Sequence, residues 1–576
     1  MADSGILVGY PWYRWYEPGV PWTIQVPDHP VHGFLDQSAR RFPRHVALIQ
    51  AGPRFDRRLT YAALDQLTDR FARALVAHGL QPGDRVAVIL PNCPQYVVAA
   101  FGIWKAGGIL VQTNPLYKGR DLAFVLQDAG ARFAVGLSRL YDQLREVRPH
   151  TALETVFLTN LHDFFPLRWR LLYGWRRARK EGDVVPATAG VVPFATALQA
   201  PRLAQRPAVA PDEVAVLQYT GGTTGVPKAA MLTHRNLVAN ALQARAWLPD
   251  LREGAERILA VVPFFHVFGL TVCLNVAVAL AATTIVLLMR LFEAKTVVEA
   301  MARYRPTIFP GVPAMYLAIT QMRGVERYDL RSIRACVSGA APLPGEVQRR
   351  FEELTGGRIV EGYGLSEASP LTHANPIHGT RKVGSIGLPV PSTEAKIVDA
   401  ETGTRDLPPG ELGELVIRGP QVMKGYWRKP GETAGALRNG WLYTGDIARM
   451  DEDGFFFLED RKKDMVNIGG FKVFPREVEE VLYAHPHVQE AAVVGVRHRI
   501  RGEMLVAHVV PRERVDPRMF ARELYDHCAR HLSAYKVPRR FEIVDEIPKT
   551  LLGKALRRAI REREEARAAA DEGEET

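Results

Sequence analysis

Cysteine is scarce in this chain. Only Cys93, Cys273, Cys336 and Cys528 occur among 576 residues, they lie far apart, and no CxxC pair exists. That spacing argues against a disulfide framework or a thiolate zinc site and for a reducing compartment. The opening MADSGILVGYPWYRW has no basic stretch before a long apolar run, so no secretory signal is expected. No fixed-period repeat is present, which sets aside solenoids and propellers. Long charge-free runs are almost absent too. The exception is Val267 to Met289, VFGLTVCLNVAVALAATTIVLLM, which is long enough to cross a bilayer. Asn275 and the Thr283–Thr284 pair interrupt it, and TTIVLLM has the β-branched character of a parallel strand, so the run predicts a buried helix followed by a buried strand.

Acid is what a second segment lacks. Phe164 to Lys180 carries Arg168, Arg170, Arg176, Arg177, Arg179 and Lys180 with no Asp or Glu, more than half of a net charge of +11 (74 Lys and Arg against 63 Asp and Glu). Phe164, Phe165, Trp169, Leu171, Leu172, Tyr173 and Trp175 are interleaved with them. Basic charge mixed with Trp and Leu fits a helix lying on an anionic membrane surface; a surface loop packed on the protein body is the plain alternative. Nucleic acid, the competing polyanion, is not expected as a partner. The aromatic N-terminus (Trp12, Trp15, Tyr16, Trp22) is a weaker candidate for the same surface.

What is present is an ordinary globular composition, 47% hydrophobic and 24% charged, in a chain too long for one core of about 250–300 residues. Tyr61 to Gly79 has helical spacing and ends on glycine. VAVIL (Val86 to Leu90), FAVGL, ILAVV and TTIVLLM look like buried strands between helical stretches, an alternation that predicts parallel α/β layers. After about Gly384, short runs such as EAKIVDA and GELVIRG between Gly and Pro turns suit a small β subdomain. The charged EDRKKD near Asp460 looks like a linker, with a small α+β domain and a charged, Ala-rich tail beyond it. The expected architecture is α/β: residues 1–460 as a large N-terminal domain with a β-rich part from about 384, a hinge at 461–464, and a mobile C-terminal domain at 465–576.

Chemistry concentrates in a few motifs. Tyr219-Thr-Gly-Gly-Thr-Thr-Gly-Val-Pro-Lys228 has three glycines that let backbone N–H groups turn toward an anion, three hydroxyls and a lysine. Its spacing is not that of a Walker A loop. Tyr363-Gly-Leu-Ser-Glu367 supplies a carboxylate, and Mg²⁺ prefers one or two protein oxygens plus substrate phosphates. Tyr443-Thr-Gly-Asp446 offers an acid suited to ribose hydroxyls. Pro548-Lys-Thr-Leu-Leu-Gly-Lys554 places a lysine after a glycine near the end.

In order and wording these motifs resemble the adenylate-forming enzymes: acyl-CoA synthetases, adenylation domains and luciferase. PFFHVFG (Pro263 to Gly269), SGAAPL (Ser338 to Leu343), EGYGLSE, YTGDIARMDEDGFF and DRKKDMVNIGGFKVFPREVE extend the resemblance over nearly the whole chain, and LQYTGGTTGVPK and DRKKDM look most like bacterial long-chain fatty-acid–CoA ligases. The resemblance implies ATP, Mg²⁺ and coenzyme A, with a fatty acid activated to acyl-AMP and then transferred to the thiol. Aryl or medium-chain acids, or a carrier protein as acceptor, are the near alternatives, an oxygen-dependent luciferase-like activity is another, and a non-catalytic uptake or scaffold protein is the distant one. It also implies roles for positions. Thr220 and Glu367 would be Mg²⁺ ligands. Gly221, Gly222, Thr223, Thr224 and Gly225 would wrap phosphates, with Lys228 at the loop's end. Gly339, Ala340, Ala341, Glu361, Gly362, Tyr363 and Gly364 would line the adenine, and Ser366 would contact the α-phosphate. Asp446 and Arg461 would hold the ribose, Lys554 would bridge carboxylate and α-phosphate, and His266 would stand between phosphate and acyl pocket unless it is a buried structural histidine. Lys463 would be the hinge and Gly469–Gly470 would face pantetheine. A cytoplasmic enzyme, peripheral on the inner membrane face, is the expected setting, with a homodimer as an option.

Overall fold

The computed structural model describes residues 9–52, 55–170, 183, 185–203, 205–220, 227–289, 292–468, 471–498, 502–549 and 555–574. The chain divides into two compact units, one of residues 1–394 and 417–442, the other of 395–416 and 443–576.

The first unit is built on three layered sheets, as the α/β alternation implies. The largest has eight strands. Its centre is parallel: Arg85–Ile89 lies between Ile109–Gln112 and Phe133–Leu137, with Thr155–Thr159 and Val191–Pro193 beyond and Val214–Thr220 on the other side. Apart from the outer strand Val191–Pro193, these strands are buried on both faces, which is why they read as continuous Val, Ile, Ala and Leu runs. The edge turns antiparallel through Lys228–Thr233 and Gly425–Tyr426. The second sheet orders Arg257–Ala260, Thr283–Leu287, Val46–Ala51 and Asp56–Thr60. The third runs from Ala335–Ser338 through Arg358–Gly364 and Leu371–Ala374 to Leu388–Pro389.

Local signals explain several elements. The helix Tyr61–Ala77 starts where the Thr60 hydroxyl accepts from Ala63 N and stops just before Gly79, which adopts φ +90°. The helix Pro94–Lys105 is buried along its whole length, so it is apolar all round. Its last residue is a lysine with no exposed surface, and Nζ lies 2.5 Å from Asp65 Oδ1 and 3.0 Å from Asp69 Oδ1 on the helix Tyr61–Ala77. Val267–Met289 is a buried helical stretch followed by the strand Thr283–Leu287, and it opens as a π-helix over Gly269–Asn275. Among the described residues no helix is long and apolar enough to cross a membrane. The four cysteines are buried and unpaired.

The N-terminal aromatics pack on the body of this unit. Trp12 is buried, Tyr13 stacks on Trp22 at 4.9 Å, and Tyr16 meets Trp247 edge-on at 5.1 Å. Of the basic aromatic segment, 171–180 lie outside the described residues. Its beginning is seen: Phe164 is buried, Phe55 packs on Phe165 and Trp169 at 4.4 and 5.7 Å, and Leu167 is 62% exposed.

In the second unit Asp446–Met450, the end of the strand Trp441–Met450, pairs antiparallel with Phe456–Arg461. Beyond them a five-stranded sheet is led by the long hairpin of Val488–His498 with Gly502–Pro511, and the helices Pro475–Tyr483, Pro517–His531 and Arg557–Glu574 accompany it. Val466, Val478, Leu482, Val493, Leu505, Phe520 and Leu524 form its core. This is the small α+β domain that follows the large α/β one.

Candidate active site

The residues that flank the Gly/Thr motif are paired within the eight-stranded sheet. Thr220 ends the strand Val214–Thr220, Lys228 begins the strand Lys228–Thr233, and the two residues are antiparallel partners. The Thr220 hydroxyl donates to Lys228 O at 3.4 Å. Gly221, Gly222, Thr223, Thr224 and Gly225 lie outside the described residues, but both posts of their loop are fixed.

Glu367 is on the short turn Ser366–Ala368, which packs against both of these strands. Its Oε1 accepts a hydrogen bond from the Tyr426 hydroxyl at 2.8 Å, and its carbonyl accepts from Met423 N at 2.8 Å. Tyr426 in turn pairs with Ala230 across the sheet edge. The Lys228 ammonium lies 5.4 Å from the centre of the Tyr426 ring and pairs with Glu432. Lys228 and Glu367 thus meet at Tyr426, which sequence reasoning did not single out, and Thr220 is the strand partner of Lys228. A hydroxyl and one half-buried carboxylate are hard oxygen donors, the set that suits Mg²⁺ alongside substrate phosphates. Among the described residues no group of three or more His, Cys, Asp or Glu could hold a metal alone.

The expected adenine-binding residues also come together. Gly339 follows the strand Ala335–Ser338, which runs parallel to Arg358–Gly364 with Ser338 opposite Glu361. Glu361 Oε2 accepts from Leu343 N at 3.2 Å, which ties the loop Gly339–Leu343 to the neighbouring strand. Close approach explains the glycines. A Cβ on Gly362 would stand 2.9 Å from Val337 Cγ1, and one on Gly364 would run into the Pro370 carbonyl. Ala340 holds φ +71° and is exposed, a strained backbone at a loop tip. Tyr363 packs edge-on against His373 at 5.9 Å.

His266 reaches this slot through its neighbour Phe268, whose ring is 3.3 Å from where a Gly339 Cβ would be. His266 Nδ1 accepts from Phe268 N at 3.3 Å, and burial lowers the imidazole pKa to about 4, so it is neutral at pH 7. The Pro263–His266 turn is held from below by polar side chains that sequence reasoning missed. Asn92 Oδ1 accepts from Phe264 N at 2.7 Å, and Gln112 Nε2 donates to Phe264 O at 3.0 Å. The Tyr96 hydroxyl lies 2.9 Å from the same carbonyl.

In the second unit Asp446 and Arg461 face each other across paired strands, with Arg461 Nε 3.0 Å from Asp446 Oδ1 and the aspartate 3% exposed. Lys463 is exposed and follows Lys462, whose Nζ is 2.9 Å from Glu414 Oε2. Gly469, Gly470 and Lys554 lie outside the described residues.

This arrangement, paired strands that bring a hydroxyl and a lysine beside an acid, with close-packed glycines at the end of two parallel strands, fits a nucleotide-binding enzyme. The chain belongs to the AMP-binding enzyme family, which matches residues 35–427, and the AMP-binding enzyme C-terminal domain matches 477–554. It is 44% identical to a long-chain-fatty-acid–CoA ligase of Bacillus subtilis (strain 168), over 96% of this chain and 98% of that one. It is 39% identical to a long-chain-fatty-acid–CoA ligase of Escherichia coli O6:H1, over 97% and 99%. The crystal structure of the anthranilate CoA ligase AuaEII in complex with anthranoyl-AMP matches with a TM-score of 0.82 at 26% identity, covering 95% of this chain and 99% of that one.

Proposed function

We propose that this protein is a long-chain-fatty-acid–CoA ligase. The observation that carries this reading is 44% identity over 96% of the chain to a relative of that name. A fatty-acid carboxylate oxygen attacks the α-phosphorus of ATP, pyrophosphate leaves, and acyl-AMP remains. The coenzyme A thiol then attacks the acyl carbonyl, and AMP leaves with the bonding electron pair. Two anions must meet in the first step, so fixed positive charge and aligned N–H donors lower its barrier.

The roles of the residues are part of the proposal. The loop Gly221–Gly225 wraps the β- and γ-phosphates, and Lys228 moves from Glu432 to them. Thr220 and Glu367 hold Mg²⁺, which when bound neutralises phosphate charge. Gly339–Ala341 and Glu361–Gly364 enclose the adenine, Ser366 meets the α-phosphate, and Asp446 with Arg461 binds the ribose. Neutral His266 separates the phosphates from the acyl chain without adding charge. Lys554 stabilises the charge that builds on the α-phosphate. Residues beyond Lys463 rotate between the two steps and present Gly469–Gly470 to pantetheine in the second. Each buried CH₂ adds about 0.8 kcal/mol, so an apolar acyl pocket favours long chains steeply.

The setting is cytoplasmic, at the inner face of a membrane. Support comes from the start of the basic segment, where Leu167, Arg168 and Arg170 are exposed while Trp169 is anchored on Phe55.

Lys554 provides the test. Lys554→Ala should lower fatty-acid-dependent exchange of pyrophosphate into ATP by at least about a hundredfold, the scale of one electrostatic contact to a transition state. Thioester formation from supplied acyl-AMP should change far less. Equal loss in both steps would remove the assignment.

A further inference from the structure

A cavity of about 150 Å³ lies in the first unit, and none of its lining residues belongs to the candidate active site. One wall is the helix Gly33–Arg41 with the residue after it, which supply Phe34, Arg41 and Phe42. A second is the helix His234–Ala246, through Leu242 and Arg245. A third is Ala279, the last residue of the helical stretch that opens at Gly269. Phe34 is buried, and Phe42, Leu242 and Ala279 are half-buried. Alanine leaves the space open, because a side chain that ends at Cβ does not reach across to Phe34 and Leu242.

The polar end of the cavity carries an excess of positive charge. Arg41 Nη2 lies 2.6 Å from Glu253 Oε2, and Arg245 Nη2 lies 2.9 Å from Glu253 Oε1. Among the described residues neither guanidinium has a second carboxylate within ion-pair distance. Two cations thus share one anion, and each keeps N–H donors beyond the one it gives to Glu253. Burial works to raise the Glu253 pKa, and the hydrogen bonds from both arginines bring it below the usual carboxylate value, so the acid stays ionised at pH 7. Arg245 is the more enclosed of the two, 36% exposed against 60% for Arg41, which makes it the stronger determinant for an anion. The Ser38 hydroxyl, also on the lining, donates to Val278 O at 2.6 Å and has no proton left to give.

Size and charge set the chemistry of an occupant. A cavity of this volume lined by apolar side chains admits a benzene ring. An apolar body of that size would cover Phe34, Phe42 and Leu242, and one negative charge would balance the unmatched guanidinium. Inorganic phosphate would supply the charge and leave the aromatic wall uncovered. We propose that this cavity binds a small organic carboxylate, with a body about the size of one aromatic ring and its carboxylate on Arg245 and Arg41. The site lies outside the proposed ligase centre, and the proposal does not rest on that reading.

The test titrates the full-length protein by calorimetry, without ATP or coenzyme A, using benzoate, benzyl alcohol and inorganic phosphate. Benzoate should bind at least about tenfold more tightly than either of the others, the scale of one hydrogen bond to a charged group. Arg245→Gln keeps a polar side chain without the charge and should weaken benzoate binding at least about tenfold. Ala279→Leu fills the cavity with the charges unchanged and should abolish it. Thermal melting reports folding, and if one variant melts early the other carries the comparison. Benzoate that does not bind, or that binds the folded variants as tightly as the parent, would overturn the proposal, and the second result would put the bound acid in the ligase centre instead. Phosphate binding as tightly as benzoate would reduce the site to a bare anion contact, and benzyl alcohol binding as tightly would remove the arginines from it. Either result overturns the proposal.

Discussion

The Glu367 carboxylate and the Lys228 ammonium share one neighbour, Tyr426, through its hydroxyl and its ring face respectively. Partners of this kind orient a metal-binding group without touching the metal, and losing one typically weakens metal affinity about tenfold or more. Tyr426→Phe should therefore raise the Mg²⁺ concentration for half-maximal activity by about tenfold, with little change in melting temperature. Initial rates across a Mg²⁺ titration check this, and an unchanged titration would separate Tyr426 from the site. Thr220, Lys228 and Glu367, which the structure brings near one another, could be picked out as candidates because glycine, hydroxyl, lysine and acid crowd into short motifs. Tyr426 was not, because it is distant in sequence from both and arrives only through the pairing of Gly425–Tyr426 with Lys228–Thr233. Asn92, Tyr96 and Gln112 were hidden for the same reason, since they meet the Pro263–His266 turn across layers.

At the scale of elements, Val267–Met289 shows what local pattern can decide. Polar interruptions and β-branching separated a buried helix and strand from a membrane span, and the structure has both. The π-helical opening was not legible, because residue pattern does not announce a close backbone approach. A Cβ on Gly269 would collide with the Pro263 carbonyl, so the helix begins against its own preceding turn. The basic aromatic segment makes its prediction here. Changing Arg176, Arg177, Arg179 and Lys180 to Ser should weaken binding to anionic vesicles at least about a hundredfold at low salt, given about 1 kcal/mol per basic residue near such a surface. Vesicle sedimentation reads the outcome, and undiminished binding would remove the membrane contact from the account.

Across the whole molecule, the α/β class and the small α+β domain were legible from alternating strand and helix patterns. The order of strands in each sheet was not, since pairs such as Val46–Ala51 with Thr283–Leu287 join residues more than two hundred positions apart. Stability at this scale carries a pH dependence. His234 and His373 are buried, and desolvation lowers both pKa values to about 3. The folded state keeps them neutral, whereas the unfolded chain takes up protons below its pKa of about 6.5, so stability rises with pH across the window between these values. At pH 5 each should cost about 2 kcal/mol relative to pH 8, with no contribution above about pH 7. Denaturant unfolding at pH 5 and 8 should show the loss, and His373→Gln should remove its share. A flat profile over that range would contradict the burial of neutral imidazoles.

The most direct measurement is the product made. Purified protein would receive ATP, Mg²⁺ and an equimolar set of aryl and C2 to C18 carboxylic acids, with and without coenzyme A, and products would be read by mass spectrometry. The account predicts acyl-CoA and AMP only when coenzyme A is present, drawn mainly from the long chains. Acyl-AMP that accumulates without any thioester, or thioesters drawn mainly from the aryl acids, would contradict it.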